Sequence, residues 1–232
     1  MANAHQQKQN QSFFGNLAFN IIIPVVIMSY ASDEAYLGPA WSIVAALIFP
    51  IGYGLWDLKD SGKVNMFSVL GIISVILTGG ISLLELPAEY IAIKEAAIPA
   101  LIGIAVLITQ YTEKPLVKVL VLNEQLINWP RLNQVLDEQN KQQEFSKKVA
   151  FSSYIVASSF FLSAVLNYVL AKVILVSEPG TTAYTEELGR MTALSYPVIV
   201  IPSMILLMTA LFYLFRQIKQ LTGEDLESFI NQ

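Results

Sequence analysis

The sequence predicts an all-α integral membrane protein, a bundle of six transmembrane helices with both termini cytoplasmic. Three observations predict it. Hydrophobic residues make up 54% of the 232 residues and charged ones only 14%, against about a quarter in soluble globular domains. The hydrophobic residues gather into six long runs, and Lys and Arg fall mostly on one set of the connections between them. The mean hydropathy of +0.54 agrees. Barrel strands would alternate apolar and polar positions over short segments, whereas these runs are continuously apolar.

Residues 1–12 form a polar, weakly basic tail with nothing to bury. The runs follow at about 13–30, 39–56, 64–86, 96–112, 149–176 and 191–215. Each approaches or exceeds the roughly 17 to 25 residues that a helix needs to cross the hydrocarbon layer. Together, residues 13–215 are expected to form one six-helix transmembrane domain with no internal domain boundary. The Ser29-Tyr30-Ala31 sequence after the first run fits a small-x-small cleavage site, so a removed signal peptide is the alternative reading there. Residues 216–232 are a second cytoplasmic tail.

Orientation comes from the basic residues. Lys8, Lys59, Lys63, Lys114, Lys118, Arg131, Lys141, Lys147, Lys148, Arg216 and Lys219 lie on the side of the termini. Lys94, Arg190 and Lys172 lie on or near the other, so the positive-inside rule places both termini in the cytoplasm. The long cytoplasmic connection, 113–148, carries Leu132, Val135 and Leu136 at helical spacing. It is expected to form a short amphipathic helix, either on the membrane surface with Trp129 at headgroup depth or simply solvated.

Polar residues recur along single faces of the spans. Asn16, Asn20 and Pro24 share one face of the first, Gly71, Ser74, Thr78 and Ser82 one face of the third, and Ser152, Ser159, Ser163 and Asn167 one face of the fifth. Such stripes allow close helix packing with hydrogen bonds across it; the alternative is a polar groove. Pro24, Pro50, Pro99, Pro197 and Pro202 are expected helix-kink positions, because each removes a backbone donor, and broken helices can line a transporter's binding site.

The densest chemistry lies in residues 79–103, where Glu85, Glu89, Lys94 and Glu95 sit between two apolar runs. Gly79, Gly80 and Pro87 mark a turn at the outer surface. Residues 88–97 read as a short interfacial helix or as the start of the fourth span. Lys94 and Glu95 are neighbours and poorly registered for intrahelical pairing, so Glu85 is the first candidate partner of Lys94. These charges are either wet at the interface, or Glu85 or Glu95 dips into the bundle as an ion or proton site.

The GGIS run at 79–82 and the YIAIK run at 90–94 resemble the GG-[LI]-T-L … F-I-K-W-K-P-T pattern of intracellular septation protein A and its relatives. Ser82 stands in place of the pattern's Thr, Ala92 in place of its first Lys, and Glu95-Ala96 in place of its Pro-Thr. Asn20 and Pro24, with the Pro50 to Tyr53 cluster, are similar to multi-pass proteins grouped with that family. The resemblance implies a bacterial inner-membrane location and a part in cell-envelope or division-related membrane organisation.

The chain has no Cys, and its one His is His5 in the tail. That excludes thiol chemistry, disulfides, bis-histidine haem and the usual zinc sites. With no Walker A, zinc-protease or GxSG motif either, neither an enzyme nor a cofactor or metal is expected. The leading expectation is a non-catalytic membrane-organising protein. Its partners would be the lipid bilayer and membrane proteins or a second copy of the chain, and not nucleic acid. The alternative is a small transporter or lipid-handling protein. Its substrate cavity would be lined by Asn16, Asn20, Ser163 and Asn167 and open towards Glu85, Lys94 and Glu95.

Overall fold

In the computed structural model of the protein, the described residues are 15, 17–61, 66–112, 115–121 and 127–230. The tail expected over 1–12 and Asn16 lie outside them. These residues form helices joined by turns, with one isolated bridge pairing Ile127 and Ile230. In chain order the helices are α1 (Ala18–Tyr30), α2 (Gly38–Ser61), α3 (Met66–Leu83), α4 (Ala88–Thr109), α5 (Leu116–Val121), α6 (Trp129–Glu138), α7 (Gln142–Ile174) and α8 (Thr182–Thr222).

Every expected run contains a helix, but three helices reach well past their runs. The start of α4 takes in the charged residues from 88 onward, so they begin the fourth helix rather than form a separate one. The start of α7 is polar, and α8 incorporates the stretch from Thr182 that composition alone left as a connection. Thr181 makes that start possible, because its hydroxyl accepts from the Tyr184 N–H at 3.2 Å and satisfies an otherwise orphan donor. At the other end Gly223, at φ +75°, takes the left-handed position that terminates α8.

Four stretches among the described residues are long and apolar enough to cross a membrane: Gly38–Trp56, Ala88–Thr109, Gln142–Ile174 and Thr182–Thr222. Ala18–Tyr30 and Ile73–Leu83 are shorter apolar helices. Only 17% of the most apolar window of Thr182–Thr222 is buried, and Val200, Ile201, Met204, Ile205, Met208 and Phe212 stand exposed along it. Water would penalise such a surface, whereas lipid solvates it.

The prolines divide into two kinds. A π turn at Ala18–Ile22 precedes Pro24, and a second at Tyr196–Val200 contains Pro197 and precedes Pro202. A proline ring collides with the carbonyl four residues back, which is Asn20 for Pro24 and Val198 for Pro202. The wider turn relieves that collision, and in the first case the Ile23 N–H bonds to Ala18 O. Pro50 and Pro99 sit inside continuous α-helix.

The chain divides into two compact units, residues 1–95 with 167–198, and residues 96–166 with 199–232. Each is assembled from separated pieces of chain, with the divisions falling inside α4, α7 and α8, so no boundary is visible in the linear sequence. In the first unit α1 packs against α2 and α8, and α2 packs against α3. Its connections meet at one end. The Thr182 hydroxyl donates to Ser32 O at 3.1 Å, Glu85 lies against Gly180, and Lys172 pairs with Glu89 at 3.6 Å. Glu187 accepts from the N–H groups of Val176 and Ser177 and from the Ser177 hydroxyl, tying the turn before α8 to that helix.

The second unit is built around a core of Val106, Val117, Leu132, Leu136, Phe145, Val156, Leu214, Ile218 and Phe229. Gly103 lets α4 approach Phe160 and Phe161 of α7. The Ser159 hydroxyl donates across to Ser203 O at 2.7 Å, so at that position the α7 stripe is a packing contact. Here the expectation of a surface-lying or solvated amphipathic helix is corrected. α6 turns Leu132 and Leu136 into the protein core, both fully buried, against the end of α8 and the turn at Leu226–Phe229. The apolar face is covered because the carboxyl-terminal chain returns over it: Asn128 N–H donates to Phe229 O at 2.7 Å and the Gln139 amide to Thr222 O at 2.9 Å. Trp129 is half-buried beside Lys118, whose ammonium lies 5.0 Å from its ring centre. Leu136→Ala should therefore destabilise the protein by about 3 kcal/mol, the scale of a core truncation, measured as detergent melting without vesicles. A membrane-lying helix would leave that melting unchanged.

Candidate functional site

The stripe on α3 and the charges at the start of α4 meet. Ser74, Thr78 and Ser82 are spaced by four residues, so they stack on one face of α3, about 6 Å apart along its axis. The chain then reverses over a short turn. Leu84 N–H bonds to Gly80 O, and Leu86 N–H to Ile81 O, around Glu85 at φ +53°, the left-handed ending of a helix. After Pro87, α4 runs back alongside α3, with Ile91 and Ala92 fully buried.

This reversal brings Lys94 to the middle of α3. Its ammonium lies 2.6 Å from Thr78 Oγ1, 3.1 Å from Ser74 Oγ, 3.3 Å from Ser74 O and 2.6 Å from Glu95 Oε1. The Lys94 side chain is 8% exposed and that of Glu95 25%. The Thr78 hydroxyl donates its own proton to Ser74 O at 3.0 Å, which leaves its lone pairs for the ammonium. An ammonium has three donors, so Lys94 is fully satisfied. A buried lysine without such partners would face a desolvation penalty far larger than any packing gain.

Two expectations about this hairpin are corrected. Lys94 pairs with Glu95, not with Glu85. Adjacent residues do not face each other on a helix, but both stems here are long, and the Glu95 carboxylate meets the Lys94 ammonium where it rests on the α3 hydroxyls. Glu85 is exposed, held by its left-handed backbone against Gly180, and Glu89 pairs with Lys172 among exposed side chains. The wet-interface reading therefore describes Glu85 and Glu89, while Lys94 and Glu95 turn inward.

Of the other expected site residues, Asn20 lies in the π turn of α1, and Ser163 and Asn167 lie on α7, all half-buried. A groove of about 410 Å³ is lined, among the described residues, by Phe19 of α1 and Ile48, Phe49, Gly52, Tyr53 and Trp56 of α2, and not by Asn20, Ser163 or Asn167. Phe19 stacks on Phe49 and Tyr53 at 6.3 and 5.8 Å.

One residue escaped the sequence reading. Tyr184, in the first turn of α8, is fully buried with its hydroxyl facing Ser82. Neither hydroxyl has a hydrogen-bond partner among the described residues. The only signal in the sequence is an aromatic with a polar tip just after a capping threonine, which is too common to single out.

Four helices long and apolar enough to cross a membrane, with exposed apolar side chains along them, define the class: a multi-pass α-helical membrane protein. No family model, curated protein or solved structure matches the chain, so the particular function rests on the site itself.

Proposed function

We propose that the protein is a small, non-catalytic membrane transporter whose binding centre is the Lys94–Glu95 pair with Ser74 and Thr78. In this reading α1 and α3 complete six spans, both termini are cytoplasmic, and the membrane is a bacterial inner membrane. The observation that carries it is depth. Ser74 is the ninth residue of the 18-residue α3, so the ammonium reaches the middle of that helix, which this reading counts as a span. Ionisable groups at that depth are costly and serve ion, proton or substrate pathways. An apolar pair of similar volume would fold at least as well, so packing alone gives no reason for these charges. The meeting of connections 31–37, 84–87 and 175–181 at one end supports the topology, because six spans place these three connections on the same side.

The test is charge displacement on a solid-supported membrane carrying reconstituted protein. Jumps in alkali cations, inorganic phosphate and amino acids are applied in turn. A transient current for at least one solute in the wild type, lost in Lys94→Met, is the expected result. Traces indistinguishable from protein-free liposomes for all of them would overturn it.

The second reading is membrane organisation of the septation protein A type. It rests on the resemblance in this same hairpin, and the exposed Tyr36 and Leu84 at the meeting of the connections are the surface it would use. Crosslinking from those two positions to a stoichiometric membrane protein would favour it.

A further inference from the structure

Resting on the transport reading, we propose that the substrate is a monovalent cation that takes the place of the Lys94 ammonium in its oxygen cage, in exchange for the Lys94 proton. The cage has four oxygens: one carboxylate oxygen, two hydroxyls and one backbone carbonyl, at 2.6 to 3.3 Å from Nζ. This is a hard, all-oxygen donor set carrying a single negative charge. A divalent ion fits it poorly, because calcium takes six to eight oxygens at about 2.3 to 2.6 Å and magnesium about 2.0 to 2.1 Å. A lysine head is itself a tethered monovalent cation, so the cage already holds one of the right charge.

The exchange balances. One Nζ–H bond breaks, the electron pair stays on nitrogen, and the proton leaves on water. The neutral amine swings aside and the incoming cation is bound by Glu95, Thr78 and Ser74. The site carries zero net charge before and after, one cation entering for each proton released. Among the described residues, Glu95 is the charged group paired with Lys94. Around it, Glu85 lies against Gly180, Glu89 pairs with Lys172, Glu187 holds the turn at 176–177, and the Tyr184 hydroxyl faces Ser82.

A route to the cage stands on a separate observation. Ser82 is one helical turn beyond Thr78 on the same face, and its hydroxyl and that of Tyr184 are buried, face each other and make no hydrogen bond of good geometry among the described residues. Buried polar groups are nearly always hydrogen-bonded, and in lipid no bulk water compensates them. A passing hydrated cation supplies the missing partners, which makes Thr78, Ser82 and Tyr184 a polar column from the cage to the end of the unit where the connections meet.

The experiment uses full-length protein in phosphatidylethanolamine and phosphatidylglycerol vesicles loaded with a pH dye. Sodium, potassium or rubidium chloride is added outside, with choline chloride as control. An alkali cation is expected to make the lumen alkaline in the wild type, while choline does not. Lys94→Arg preserves a charged, hydrogen-bonding head that never deprotonates, so it should fold and yet exchange about tenfold more slowly or not at all. Ser82→Ala and Tyr184→Phe should slow exchange with the detergent melting temperature unchanged. If no alkali cation moves protons while another solute still gives a Lys94-dependent current, the cation assignment fails and the transport reading stands. If no solute gives any response, both fail. Lys94→Arg exchanging at the wild-type rate would overturn the proton step.

Discussion

Replacing Lys94 by methionine is expected to destabilise the protein by about 2 to 3 kcal/mol, with most of the loss recovered in the Lys94→Met/Glu95→Gln double variant. Methionine keeps the volume of the stem, so the loss isolates the charge. Its removal leaves the Glu95 carboxylate without a counter-ion and the Ser74 and Thr78 hydroxyls without their donor. The expected value lies below the usual penalty for breaking a fully buried pair because Glu95 keeps 25% of its side chain exposed. The measurement is SDS-driven unfolding in mild detergent for both single variants and the double variant. A coupling energy near zero would mean that the pair is not formed in the membrane-extracted protein.

The second large effect is expected at Gly189, where α8 crosses α1. A Cβ there would lie 3.1 Å from Met28 Cβ, 3.2 Å from Ser29 Oγ and 3.4 Å from the Val25 carbonyl oxygen. Met28 Cβ and the Val25 carbonyl oxygen are fixed by the α1 backbone, so of the three only the Ser29 hydroxyl can swing clear. Gly189→Leu should lower stability by about 3 kcal/mol, at the upper end of overpacking. Gly189→Ala should be close to neutral, since its tight contact is offset by a helix-propensity gain of about 1 kcal/mol. Gly80, also helical, has open space where its Cβ would be, and Gly80→Leu should be tolerated. Melting of the three variants side by side separates a packing contact from a general dislike of larger residues in these helices.

Much of the fold was legible because the apolar runs state it directly. In lipid only a helix or a closed barrel can satisfy a backbone, so a long continuous apolar run leaves little choice, and each of the runs proved to contain a helix. The ends were less legible. α7 and α8 continue into polar stretches whose helicity depends on caps and on neighbours, as the Thr181 cap and the Glu187 bonds to the preceding turn show. α6 was recognisable as amphipathic from Leu132 and Leu136, but what covered its apolar face was decided by the returning chain around Phe229.

The site shows the same division. Periodicity placed Ser74, Thr78 and Ser82 on one face, and composition marked Lys94 and Glu95 as out of place, each without reference to the other. The left-handed turn at Glu85 and the start of α4 at Ala88 decided that the two features meet, that Lys94 reaches the middle of α3, and that Glu85 stays outside. The sequence by itself determined the helices and the faces on which polar groups stand, because a helical period of 3.6 and the apolarity of lipid act locally. Only the tertiary structure decided which polar groups satisfy one another. A buried charge is stabilised by oxygens within about 3 Å of it, and a distance that short between residues twenty positions apart is set by how the hairpin closes.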